Sequence, residues 1–124
     1  MDLVFAAIDI GSNSTNLLII DQSGQTLERI VRSTRLGANV ATTGALSAES
    51  MQRTLECLSE YESLIKQHKV SRRRTVATAA CRVANNTNQF FAAVKKISGT
   101  EPELISGELD GALSFVGATS SLDD

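Results

Sequence analysis

The feature that most constrains this chain is its first apolar run and the turn that closes it. Residues 3–10 read Leu-Val-Phe-Ala-Ala-Ile-Asp-Ile, broken only by Asp9. Such a run, ended by a turn signal, reads as a buried strand. Gly11-Ser12-Asn13-Ser14 supplies the turn, because glycine, asparagine and serine suit tight backbone bends. Residues 16–20, Asn-Leu-Leu-Ile-Ile, return as a second strand. Asp21-Gln22-Ser23-Gly24 is a further turn, and residues 25–33 form a third strand with Leu27, Ile30 and Val31 as its apolar members. Together they predict an antiparallel meander.

The period then changes from two to 3.6. Residues 34–46 hold Gly37, Asn39 and Gly44 and read as a loop. Ser47 is a natural N-cap, with Glu49 in the first turn. Met51, Leu55, Leu58 and Ile65 follow helical spacing, so a long helix is expected over about 48–69. Residues 74–79 read as a strand, and a short helical or looped segment carries Arg82. Asn86 is placed to cap a helix over 87–98, whose apolar side holds Phe90, Phe91, Val94 and Ile97. Gly99 ends that helix. Residues 103–105 read as a short strand and 108–118 as a last helix. The order β-β-β-α-β-α-β-α predicts an α/β, ribonuclease-H-like domain: a mixed five-stranded sheet with flanking helices, filling residues 1–124 as one domain.

Composition removes several function classes. Charged residues make up 21% and the net charge is -2, which lacks the basic excess of a nucleic-acid binder. No apolar run approaches the roughly 20 residues that span a bilayer, and the N-terminus has no signal-peptide pattern. A cytoplasmic protein is expected. Cys57 and Cys81 read as reduced, buried thiols. With His68 as the sole histidine, a zinc site or a Ser-His-Asp triad has little support. Lys66, Lys69, Arg72, Arg73 and Arg74 form a basic cluster. It suits a helix C-terminus and a solvated turn, or the attraction of a polyanion.

Three stretches in order resemble the exopolyphosphatase and guanosine pentaphosphate phosphatase family. They are Ala7-Ile8-Asp9-Ile10-Gly11-Ser12-Asn13-Ser14, then Ala77-Thr78-Ala79-Ala80-Cys81-Arg82-Val83-Ala84-Asn85-Asn86, then Ile105-Ser106-Gly107-Glu108-Leu109-Asp110-Gly111-Ala112-Leu113-Ser114-Phe115 followed by Gly117. The resemblance implies one lobe of the actin, sugar-kinase and heat-shock-chaperone architecture. It implies Mg²⁺-dependent hydrolysis of the terminal phosphate of polyphosphate or guanosine pentaphosphate. It also implies a cleft between two lobes, the second carrying another glycine-rich loop, and a homodimer of the full-length protein as one assembly. No such second loop occurs within 124 residues. The chain is therefore expected to be an excised N-terminal domain, inactive alone.

Candidate site residues follow from the chemistry of phosphoryl transfer, which needs positioned donors and charge neutralisation. A tight turn can gather backbone N–H groups into an anion cradle. Gly11 permits close approach, and Ser12, Asn13 and Ser14 add side-chain donors to phosphate. Asp9, at the strand end, is the candidate metal ligand. Arg82 follows a strand end and can hold phosphate bidentately. Asn86 reads as a cap before it reads as a ligand. Asp110 falls where the resemblance implies a catalytic glutamate acting as general base. Aspartate is shorter by one methylene, about 1.5 Å of bond length. Leu109 replaces a second acid of the family pattern and Gly111 an alanine, while Glu108 lies on another face of the helix. Two rivals share the pattern. One is an ATP-dependent sugar or acetate kinase lobe. The other is a degenerate module that binds polyphosphate or nucleotide without hydrolysis.

Overall fold

The computed structural model describes residues 3–105. The helix expected over 108–118, with Glu108, Leu109, Asp110 and Gly111, lies outside them. Within them the expected α/β architecture is present. β1 (Val4–Ile10), β2 (Ser14–Asp21) and β3 (Thr26–Ser33) form the antiparallel meander. A short helix α1 (Val40–Thr43) and the long α2 (Ala48–Gln67) lead to β4 (Arg72–Ala77), which pairs parallel with β1. α3 (Ala79–Val83) and α4 (Thr87–Ser98) lead to β5 (Glu103–Leu104), parallel to β4. The sheet order is β3-β2-β1-β4-β5. The first strand is thus the central one, which explains an apolar character broken only by Asp9.

Alternation along the strands assigns the two faces. Ala6, Ile8 and Ile10 join Leu17 and Ile19 in a core cluster with Cys57, Leu58, Tyr61 and Ile65 of α2 and Phe90 and Val94 of α4. Phe5 and Ala7 face the other way, packed with Val76, Ile20 and Ile105. Asp9 follows the second alternation and is only 3% exposed. α2 starts where expected: the Ser47 hydroxyl accepts the Ser50 N–H at 3.1 Å. That cap contributes about 1 kcal/mol. Burial of Leu58, Tyr61 and Ile65 contributes about 2 kcal/mol each, so the sheet, not the cap, holds the helix. Tyr61 also donates its hydroxyl to the Thr15 carbonyl at 2.6 Å, tying α2 to β2.

Several boundaries differ from expectation, each for a local reason. β2 begins at Ser14, because the turn is only three residues long and closes through a Gly11 N–H to Ser14 carbonyl bond of 2.9 Å. The 34–46 loop contains α1. α2 ends at Gln67, and Lys69 takes a left-handed φ of 54° as the chain turns. The expected strand over 74–79 lies at 72–77, because the Ser71 N–H already bonds the Val4 carbonyl at 2.7 Å and starts the ladder. The arginines therefore lie in a strand and not in a solvated turn. They tolerate it through ion pairs: Arg73 with Glu62 at 2.6 Å and Arg74 with Glu103 at 2.7 Å. This basic cluster sits at the N-terminal end of β4, the far end from the turn at 11–13.

No helix of the described residues is long and apolar enough to cross a membrane.

Candidate functional site

β1 and β4 run parallel and adjacent, with Asp9 opposite Val76 and Ile10 opposite Ala77. Their C-terminal ends therefore emerge side by side, the usual place for a ligand in such a sheet. Two turns leave from there, Gly11-Ser12-Asn13 after β1 and Thr78 into α3 after β4. A bond from the Thr78 N–H to the Ile10 carbonyl, 3.1 Å, holds them together.

Ser12 joins the two turns by its side chain. Its hydroxyl oxygen accepts the Ala80 N–H at 3.1 Å. Thr78, at the N-cap of α3, makes no side-chain cap bond of its own. Ser12 thus satisfies a helix-start donor from 68 residues away in sequence. Its oxygen is committed as a brace, although the hydroxyl hydrogen remains a donor.

A third segment, residues 34–37, closes on the same turn. The Asn13 carbonyl accepts N–H groups from Thr34 and Arg35 at 3.1 and 3.0 Å, and the Ser12 carbonyl accepts that of Gly37 at 2.9 Å. Arg35 takes a left-handed φ of 52° to make this contact. The Ser12 and Asn13 carbonyls of the turn are therefore occupied from behind. For the N–H groups of Ser12 and Asn13 the described residues offer no acceptor. A turn with bonded carbonyls and unspent N–H groups is the arrangement an anion requires.

Glycine is needed twice here, for space and not for φ. A Cβ at Gly11 would lie 3.1 Å from the Ser14 carbonyl oxygen. One at Gly37 would lie 3.0 Å from the Ser12 Cβ.

The predicted residues divide as follows. Asp9, Gly11, Ser12 and Asn13 gather at the β1 end. Ser14 is the first residue of β2 and uses its carbonyl to close the turn. Arg82 is exposed on α3, two residues beyond the Ala80 N–H that Ser12 braces. Asn86 belongs elsewhere. It occupies the N-cap position of α4 but makes no side-chain cap bond. Its amide clamps the Leu46 backbone, accepting the N–H at 2.8 Å and donating to the carbonyl at 2.9 Å. Cys81 is buried, and burial pushes its thiol up to about 12, so it is protonated at neutral pH and no nucleophile.

Sequence reasoning missed Thr34, Arg35, Gly37 and Asn16. Gly37 was visible as a glycine in a loop, but nothing marked its contact with Ser12. An open depression of about 480 Å³ lies beside the third segment, lined by Arg35, Asn39, Glu49 and Arg53 among others. Arg53 is occupied there by the Thr34 carbonyl at 3.0 Å and the Ser50 hydroxyl at 3.0 Å.

A divalent cation fits the residues present in a limited way. Among the described residues no group of three or more His, Cys, Asp or Glu is placed to hold a metal. Mg²⁺ does not require one, since it is usually held by one or two carboxylates, waters and substrate phosphates. Asp9 supplies a carboxylate at the end of β1. Opposite it in the β1–β2 register is Asn16, whose buried Oδ1 has no hydrogen-bond partner among the described residues.

Comparison with known proteins gives a consistent result. Residues 19–124 match the model of the Ppx/GppA phosphatase family. The chain is similar to the crystal structure of the Aquifex aeolicus member of the Ppx/GppA protein family, at 35% identity and a TM-score of 0.84 over 100% of this chain and 42% of that one. A structure of the Aquifex aeolicus PPX-GPPA enzyme matches at 38% identity and a TM-score of 0.81, over 90% of this chain and 38% of that one. An exopolyphosphatase from Cytophaga hutchinsonii matches at 28% identity and a TM-score of 0.79, over 85% and 35%. The chain thus spans between 35% and 42% of the length of these structures.

Proposed function

Because this chain belongs to the Ppx/GppA phosphatase family, we propose that it is the N-terminal lobe of a phosphoanhydride hydrolase acting on the terminal phosphate of polyphosphate or guanosine pentaphosphate. One observation carries the reading: the Ser12 and Asn13 carbonyls are tied behind the turn at 11–13, and among the described residues no acceptor takes the N–H groups of Ser12 and Asn13, beside the buried Asp9.

In this reading each candidate residue has a role. The Ser12 and Asn13 N–H groups hold a terminal phosphate oxygen, and the side chain of Asn13, exposed at the turn, adds a donor. The Ser12 brace to Ala80 keeps the cradle from relaxing when charge develops on the phosphate, which is the condition for electrostatic catalysis. Arg82 reaches the substrate's outer oxygens from α3. Asp9 would hold the Mg²⁺ by its carboxylate. When bound, that cation would neutralise phosphate charge. Asp110 takes the proton of the attacking water. A second lobe closes the cleft.

The test uses the intact two-lobed protein. Phosphate release from polyphosphate and from guanosine pentaphosphate is measured with Mg²⁺, then repeated with Asp9→Ala and Asp110→Asn. Loss of turnover in both supports the reading. Full turnover in Asp9→Ala would remove the metal role, and full turnover in Asp110→Asn would remove the base. Hydrolysis of neither substrate by the unmodified protein would defeat the proposal.

A further inference from the structure

The central strands carry a polar side chain that the proposed roles do not use. Alternation in β2 sends Thr15, Leu17 and Ile19 to the helix-covered face and leaves Asn16 on the face of Asp9. Asp9 and Asn16 are direct partners in the antiparallel register. Directly opposed side chains have Cβ atoms about 4.5–5.5 Å apart. That separation lets a carboxylate and a carboxamide reach one small ligand between them.

Asn16 is costly where it stands. Asparagine is depleted from strands, and this one sits in the second strand of a five-stranded sheet. Its Oδ1 is buried and, among the described residues, accepts no hydrogen bond. Buried acceptors are nearly always satisfied, so an orphan beside an acid needs a physical reason. The same face next to it is apolar: Phe5, Ala7, Val76 and Ile20. Leucine would fill the position with less penalty. What a buried carboxamide oxygen beside a carboxylate offers is a second hard oxygen for a cation.

We infer that Asn16 is a second oxygen ligand, direct or through one water, of the divalent cation organised by Asp9. The inference rests on the reading of Asp9 as the cation-organising acid. The pair then explains how a site with so few carboxylates holds a cation: one charged oxygen ligand comes from β1, one neutral ligand from β2, and substrate and water complete the shell. Rigid strands fix both ligands, which suits the strict octahedral demands of Mg²⁺.

The test measures Mn²⁺, used as a spin-active probe for Mg²⁺, bound to the 124-residue chain by electron paramagnetic resonance, and melting temperature with and without the ion. Asn16→Leu should weaken Mn²⁺ on the order of tenfold. Without metal it should melt higher by about 3–6 °C, because the orphaned acceptor is gone. Asn16→Asp should bind Mn²⁺ more tightly than the unmodified chain and melt lower without metal, since two carboxylates then face each other. If Asn16→Leu does not fold, Asn16→Asp alone decides: binding unchanged or weakened overturns the inference. Unchanged Mn²⁺ affinity in Asn16→Leu overturns it too, leaving the Asp9 reading intact. If instead Asp9→Ala binds Mn²⁺ as well as the unmodified chain, or the unmodified chain binds none, the Asp9 reading falls and takes the inference with it.

Discussion

Adding a single methyl group at Gly37 should damage the turn at 11–13 without touching it chemically. The Cβ of Gly37→Ala would lie 3.0 Å from the Ser12 Cβ, 3.4 Å from the Ser12 Cα and 3.4 Å from the Ala80 Cβ. The nearest of these atoms is fixed to the backbone, so no flexible side-chain end can swing away. Ser12 is also anchored on both sides, by the Gly37 N–H on its carbonyl at 2.9 Å and by the Ala80 N–H on its hydroxyl at 3.1 Å. The clash must move the turn by a few tenths of an ångström. Overpacking of this kind costs about 1–3 kcal/mol. The loss of unfolded-chain entropy on replacing glycine with alanine returns about 0.4–1 kcal/mol. The net expectation is a destabilisation of up to about 2.6 kcal/mol. Ser12→Gly removes the opposing Cβ, so the pair should be strongly non-additive. Urea denaturation of both single variants and the double variant measures that coupling. We expect the double variant to be at least 1 kcal/mol more stable than the sum of the two single losses implies, a coupling of about the size found for residues in contact. In the intact protein, Gly37→Ala should also lower phosphate release several-fold, short of the roughly hundredfold that a 1 Å misplacement costs. An additive cycle would refute the claim that these two backbones are packed to their limit.

Asn86→Ala should cost about 1–3 kcal/mol, because it strands both the N–H and the carbonyl of the buried Leu46. Phosphate release per folded molecule should stay unchanged, and a large loss there would place Asn86 in the site after all. The buried Cys81 makes a pH prediction. Burial raises its thiol from an ordinary 9.0 to about 12, so the folded chain holds the proton more firmly than the unfolded one. That contribution is fully present below pH 9 and drains away as pH rises toward about 12, by a few kcal/mol at most. The urea midpoint should therefore fall more steeply over that range in the original chain than in Cys81→Ala, and coincident curves would contradict the burial argument.

The fold was legible because its strongest signals are local. An eight-residue apolar run, a Gly-Ser-Asn turn and a capped amphipathic helix each announce themselves within a short window. The sheet order was not legible, since nothing local says that β1 lies between β2 and β4. The arginines of β4 show the same limit. Three in a row read as a solvated turn until ion pairs with Glu62 and Glu103, distant in sequence, admit two of them to a strand. Asn86 was placed correctly at the helix start and given the wrong partner, because a carboxamide that can cap its own helix can equally bond a loop 40 residues away.

The candidate site divides along the same line. Asp9, Gly11, Ser12 and Asn13 carry a local pattern. What makes their turn fit for an anion is supplied from outside it, and mostly by backbone. Thr34, Arg35 and Gly37 take up the carbonyls of Ser12 and Asn13, and α3 takes up the Ser12 hydroxyl oxygen. Backbone groups are the same in every residue, so they leave no mark in the sequence except where a glycine is required for space. Gly37 is that mark: its missing Cβ lets the third segment close on Ser12. The rigidity that electrostatic catalysis needs thus comes from three segments locking one turn. A substitution at Gly37, which offers no side chain to any substrate, should for that reason reach the chemistry as surely as one at Ser12.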